Sequence, residues 1–298
     1  MHTLLAAIYA NKIPASRLPA TLMSTQDLPI LPPELEREIF ELCALSRPVL
    51  VPKLILVAWR VKQWIEPLLY RTIILSQTKS LDGYPRFTPD VLLPALKTKP
   101  RLFHDSVRHI LLHAVSESVI QAVLSVCTRV ENLWAPLASD VLVSLATPDS
   151  SRIMATRPLK HLYTNFMPLL PRLGSTHPLF AQLTHLEVIG IPPRRELGAW
   201  ADAIARLPRL THLAFNEDAL MPICASLLGV CRLQVLVSLI GDTTRVGHDD
   251  PRVDDARFVV LFSPWFEDWQ MGVHVGKDYW TRAESIVAER FRQQQLSN

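Results

Sequence analysis

One phrase recurs along this chain: a large apolar residue, two variable positions, a second apolar residue, then an alternating tail. It reads VRHILLH from Val107, VENLWAP from Val130, LKHLYTN from Leu159, LTHLEVI from Leu183, LTHLAFN from Leu210 and LQVLVSL from Leu233. A weaker copy, FVVLFSP, starts at Phe258. Successive starts lie 23, 29, 24, 27, 23 and 25 residues apart. Recurrence at such a period means that one strand-plus-return unit is copied. A single unit cannot bury its own apolar edge, so neighbours must stack. Stacking lines the strands up in a parallel sheet with the return segments on one side, and the unequal spacing predicts an irregular array.

Phrase and period together resemble the leucine-rich repeat. They place residues 107–264 in a leucine-rich-repeat-like solenoid of the α/β class with a parallel sheet. Between the phrases, Ser118–Val126 sets Val119, Ala122, Val123 and Val126 on one helical face. Glu196–Leu207 does the same with Leu197, Trp200, Ala201, Ile204 and Leu207, and Ala219–Val230 continues the alternation. A terminal unit needs a cover. Trp265, Phe266 and Trp269, followed by a helical stripe of Trp280, Glu284, Val287 and Phe291, make residues 265–298 the expected C-terminal capping segment.

If the phrase is numbered from its first apolar residue, positions 4 and 6 face the core and positions 3 and 5 point outward, because strand side chains alternate. Position 3 holds His109, Asn132, His161, His185 and His212; position 5 holds Leu111, Trp134, Tyr163, Glu187 and Ala214. Parallel strands stack at roughly 4.8 Å, so His161, His185 and His212 should form a ladder on an open concave face. The candidate partner-binding residues there are Trp134, His161, Tyr163, His185, Glu187 and His212, led by the aromatics, which dominate interface energies. The same positions also suit plain exposed or partly packed strand residues. A ladder spreads its nitrogens in a row, whereas a metal needs convergent ligands, so no metal site is expected.

Composition narrows the function. Hydrophobic residues make up 49% and charged residues 20%, as in a folded globular chain. The net charge is +3 with no dense Lys/Arg cluster, which argues against a nucleic-acid partner. No apolar run reaches the roughly 18–20 residues of a membrane helix. The apolar patch Leu4–Tyr9 has no positive residue before it, so residues 1–27 read as a loose leader rather than a secretory signal. Cys43, Cys127, Cys224 and Cys231 form no C-x-x-C pair and read as buried free thiols in a reducing cytoplasmic or nuclear compartment. Phosphate-loop, nucleophile-elbow and zinc-helix motifs are absent. Asp242, His248, Asp249, Asp250, Asp254 and Asp255 lack calcium-loop spacing and read as a solvated loop. The expectation is a non-enzyme without a cofactor.

Residues 28–75 differ in kind. Glu34, Glu36 and Glu38 suit a helix N-terminus, and Leu35, Ile39 and Leu42 form a three/four stripe. A break at Ser46–Pro52 precedes a second helix, Lys53–Val61, and a third, Gln63–Tyr70, leading to a β-type run, Thr72–Leu75. Pro85, Pro89, Pro94 and Pro100 then make residues 76–106 a Pro-rich bridge that resists continuous helix, with one or two helical turns expected at VLLPALK. Leu31, Pro32, Glu34, Leu35, Ile39 and Phe40, then Leu54, Leu56 and Val57, then Trp64 and the phrase Pro67–Arg71 resemble the F-box. With the repeats and the phrase GKDYWTRAESIVAER, the chain is similar to F-box-like leucine-rich proteins of mushroom-forming fungi. One departure is Val61, where many F-boxes carry a tryptophan. The resemblance implies docking on a Skp-type adaptor of a cullin–RING ubiquitin ligase through Leu31, Pro32, Leu35 and Ile39. The repeats would then hold a protein substrate for ubiquitination. The alternative is a stand-alone repeat scaffold in which the helical unit only packs on the first repeat.

Overall fold

The computed structural model describes residues 31–77, 84, 86–136, 139–146, 158–166, 168–190, 193–216, 218–240 and 253–297. The leader 1–27 lies outside the described residues, as do Asp242, His248, Asp249 and Asp250 of the acidic loop and residues 78–83 and 85 of the bridge. The chain divides into two units, Met1–Glu36 and Arg37–Asn298. In the first, Glu34 and Glu36 occupy the opening turn of helix α1 (Pro33–Ser46), where the positive end of the helix dipole favours carboxylates.

In the second unit, α1 gives way to a 3-10 turn, Pro48–Leu50, and to the four-residue helix α2 (Val51–Leu54). Helix α3 runs from Trp59 to Leu69. The second helix is therefore shorter, and the third starts earlier, than the sequence suggested. Ala58 is extended (φ −158°, ψ 155°) and ends the preceding turn. Val61 and Ile65, one turn apart on α3, are fully buried and hold it as a single helix. They join Ala44 and Val51 in a small core flanked by Phe40, Leu54, Trp64 and Leu68.

Eight strands then follow in chain order. They are β1 (Thr72–Leu75), β2 (His109–Leu112), β3 (Asn132–Trp134), β4 (His161–Thr164), β5 (His185–Val188), β6 (His212–Phe215), β7 (Val235–Ile240) and β8 (Phe258–Phe262). Each pairs in parallel with the next, giving one eight-stranded sheet in sequential order. The return segments carry α4 (Pro89–Thr98), α5 (Pro100–Ser106), α6 (Glu117–Val126), α7 (Ser139–Ala146), α8 (Leu169–Leu173), α9 (Leu197–Ala205) and α10 (Cys224–Val230). Two more helices, α11 (Trp265–Val275) and α12 (Tyr279–Ser297), bring the total to twelve α-helices among the described residues. None of them is long and apolar enough to cross a membrane.

One hydrogen-bond device repeats from β2 to β7. The carbonyl of phrase position 2 accepts two backbone N–H groups from the next unit. Arg108 O accepts from Glu131 and Asn132 (2.8 and 3.1 Å), and Glu131 O from Lys160 and His161 (2.8 and 3.0 Å). Lys160 O accepts from Thr184 and His185 (2.9 and 3.0 Å), and Thr184 O from Thr211 and His212 (both 3.0 Å). The device sets identical phrase positions side by side. Ile110, Leu133, Leu162, Leu186, Leu213 and Leu236 therefore form one column, each no more than 2% exposed. Burying each such side chain contributes about 1.5–3 kcal/mol.

Four features depart from the sequence reading. Thr72–Leu75, assigned to the helical unit, is the first strand, with Ile73 opposite Ile110. Residues 89–106 of the Pro-rich bridge are helical, with Leu92, Leu96 and Phe103 in the main core; Pro89 and Pro100 stand at helix starts, where a missing N–H costs nothing, and Pro94 is carried inside α4. In the last phrase, Phe258 rather than Leu261 stands opposite Leu236. Finally, α11 and α12 lie on the strand face formed by positions 3 and 5. Phe266, Trp269, Tyr279, Trp280, Ala283 and Val287 pack with side chains of that face from Ile74 on β1 to Leu261 on β8.

Candidate functional site

The strand face is closed by specific polar pairs as well as by apolar contact. Trp269 Nε1 donates to Asn132 Oδ1 at 2.8 Å, and the Tyr279 hydroxyl donates to Glu187 Oε2 at 2.7 Å. Trp280 Nε1 donates to the Tyr163 hydroxyl at 3.1 Å. The Trp265 ring stacks on Trp134 (4.4 Å between centroids, 10° between planes), and His113 stands edge-on to both. Each buried polar group that finds a partner here avoids a desolvation cost of about 1–3 kcal/mol.

The histidine ladder forms as the spacing requires. His161 and His185 stack at 4.0 Å and 5°, and His185 and His212 at 4.1 Å and 12°. The Trp280 ring meets His185 and His212 edge-on at 5.2 and 5.8 Å. Burial disfavours the charged imidazolium, so the ring pKa values fall to about 4 for His161, about 2 for His185 and about 4 for His212. Burial acts in the opposite sense on Glu187, whose carboxyl is pushed up to about 7 despite the Tyr279 hydroxyl. The ladder is therefore neutral at pH 7.

The open concave face expected from the sequence is thus corrected. Trp134, Tyr163, Glu187 and His212 are buried, each no more than 5% exposed, and His161 and His185 are half-buried. The outward positions carry two large aromatics and two polar groups, Asn132 and Glu187, that need partners away from water. Those side chains are the signal that something covers the face, and Trp265, Trp269, Tyr279 and Trp280 are the missing half.

The residues assigned to docking lie in the opposite environment. Leu31, Leu35 and Ile39 are 50%, 48% and 47% exposed, and Pro32 is exposed. Leu42, Leu45, Val49, Leu56, Val57 and Trp59 are 52–69% exposed. Elsewhere among the described residues, large exposed apolar side chains are scattered singly at Val230, Val275, Phe291 and Leu296. Seven of these residues fall within Ile39–Trp59 of the second unit, whereas the others stand singly along the chain. Beside the group, a cleft of about 220 Å³ is lined by Leu45, Val51, Leu69, Arg71, Tyr84 and His274, with Tyr84 stacked on His274 at 3.7 Å.

All four cysteines are free thiols, and Cys43 is exposed rather than buried. Asp255, at the described edge of the acidic loop, grips Arg257 at 2.7 and 3.0 Å and fills a structural role. No family model matches the chain, and no curated protein matches it either.

Proposed function

We propose that this chain is an F-box-like adaptor that joins a protein substrate to a cullin–RING ubiquitin ligase through a Skp-type adaptor, in the cytoplasm or nucleus. The observation that carries this reading is the exposed apolar group on a helical segment that already has its own small core. Docking by Leu31, Pro32, Leu35 and Ile39 is what the resemblance implies. The exposure of Ile39, Leu42, Leu45, Val49, Leu56, Val57 and Trp59 supports it from within the second unit. An amphipathic helix whose apolar side meets water is completed by a partner's groove. On this reading the repeat region holds the substrate, but not through Trp134, Tyr163 or Glu187, which α11 and α12 cover.

A stand-alone repeat scaffold is the second reading. Tyr70, at the end of α3, packs on Phe103 and Phe87 at 4.8 and 6.1 Å, and β1 is part of the sheet, so the helical segment also covers the sheet's first edge. Co-purification with a Skp-type adaptor separates the two. Deleting residues 1–75 would remove β1, so Ile39→Asp and Leu42→Asp in the full chain are the controls. The adaptor reading expects capture by the wild type and loss of roughly 2 kcal/mol or more of binding in each variant. A folded wild type that captures no adaptor leaves the scaffold.

A further inference from the structure

The ladder alone sets its nitrogens in a row, but α12 adds a ligand that turns part of the row into a convergent set. Glu284 reaches the end of the ladder and places Oε1 3.0 Å from His212 Nε2. One ligand atom from each of His185, His212 and Glu284 lies within 4.8 Å of the other two. We propose that these three side chains bind one divalent transition-metal ion, zinc in the first instance, between the sheet and α12.

The protonation pattern favours this. Thr184 Oγ1 lies 2.8 Å from His185 Nδ1, and Thr211 Oγ1 lies 2.8 Å from His212 Nδ1. Each hydroxyl also reaches a carbonyl of the preceding unit, Lys160 O at 3.2 Å and Thr184 O at 3.3 Å. A hydroxyl that donates to a carbonyl is left to accept from the ring, so the ring proton sits on Nδ1 and the Nε2 lone pair is bare. His109 and His161 follow Arg108 and Lys160 instead of threonine, and their Nδ1 atoms have no hydrogen-bond partner. The two Thr-His pairs therefore have the outer hydrogen bond that orients metal-binding imidazoles.

His212 Nε2 then has a problem that a cation solves. The side chain is 6% exposed, its Nε2 makes no aligned hydrogen bond, and the nearest group is a carboxylate oxygen. A bare lone pair and a carboxylate oxygen at 3.0 Å repel unless a positive ion lies between them. Two ligands at metal bonds of about 2.1 Å subtending roughly 90° stand about 3 Å apart. Two imidazoles and one carboxylate suit zinc, copper or nickel, whereas calcium and magnesium take all-oxygen sets. Glu284 is 49% exposed, which leaves an entry path and a solvent position on the ion. Because a metal lies in the plane of each ring it binds, His185 and His212 must tilt out of their 12° stack as it enters.

The test uses the full chain carrying Cys43→Ser, which removes the exposed thiol, titrated with Co²⁺ and then Zn²⁺. Expected are one equivalent of Co²⁺ with visible ligand-field bands, its displacement by Zn²⁺, and a higher melting temperature with Zn²⁺. Glu284→Gln, half-exposed and of the same size, should retain the circular dichroism and bind about tenfold or more weakly. His185→Gln should do the same. Absence of stoichiometric binding by the folded parent, or equal binding by parent and Glu284→Gln, overturns the site. The outcome is independent of adaptor capture, which is assigned to Leu31, Pro32, Leu35 and Ile39 and shares no residue with the site.

Discussion

Two surfaces of this molecule are built from similar apolar side chains and end in opposite states. Along Ile39–Trp59, seven large apolar residues stand 47–69% exposed. On the strand face, the buried apolar residues packed beneath α11 and α12 are no more than 7% exposed. Apolar content does not separate a core from a docking surface. What separates them is whether the same chain supplies the cover. The strand face has both its covering aromatics and the matching polar pairs, while among the described residues the group around Ile39 and Leu42 has neither.

Substitutions can break this comparison, and the largest effect lies beneath the covered sheet. Leu186→Asp puts a charge in the central column, which is 0% exposed, and should leave no cooperative unfolding transition in urea. A normal melt would show that Leu186 is not in the core. Next comes Trp280→Ala, which removes a buried ring, the hydrogen bond to Tyr163 and the edge contacts to two histidines. It should cost about 3–5 kcal/mol in chemical denaturation. A loss below 1 kcal/mol would mean that α12 only rests on the sheet.

The pH response tests the same cover more finely. Glu187 has its pKa raised from 4.5 to about 7 on folding, so the folded state holds that proton more tightly than the unfolded one. The benefit is fully present below about pH 4.5 and is lost as the pH rises to about 7. The ladder acts the other way. Its pKa values are depressed from 6.5, so its share is present above pH 6.5 and is lost as the pH falls towards 4. Wild type should therefore lose stability relative to Glu187→Gln as the pH climbs from 4.5 to 7, read from urea midpoints. A flat difference curve would place the carboxyl in water. The smallest folding effect belongs to the exposed group: Leu42→Asp should change stability by no more than about 0.5 kcal/mol while weakening adaptor capture. A large loss of stability would mean that Leu42 is covered after all.

Some of this was legible and some was not, for identifiable reasons. Strands β2 to β6 start at phrase position 3, because an alternating tail admits one register in which Leu133, Leu162 and Leu186 all face inward. The last phrase, FVVLF, is apolar throughout and offers no alternation, so the sequence does not set its register and Phe258 takes the place opposite Leu236. Thr72–Leu75 was missed as a strand of the sheet because the next strand begins only at His109, after a stretch dense in proline. The stripe on residues 280–291 announced a packed helix but not its target. Of the three candidate metal ligands, the two histidines lie in the phrase, and the third is 72 positions beyond His212, reachable only through the fold.

The pairs that fasten α11 and α12 to the sheet span 137, 92 and 117 positions, while each strand needs only its predecessor. During synthesis the strands can therefore assemble behind the ribosome well before their cover exists. Trp134 precedes Trp265, which stacks on it, by 131 positions, an interval of roughly 7–26 s at translation speed. For that time the nascent chain carries an apolar sheet face open to whatever lies nearby, and the cell must shield it.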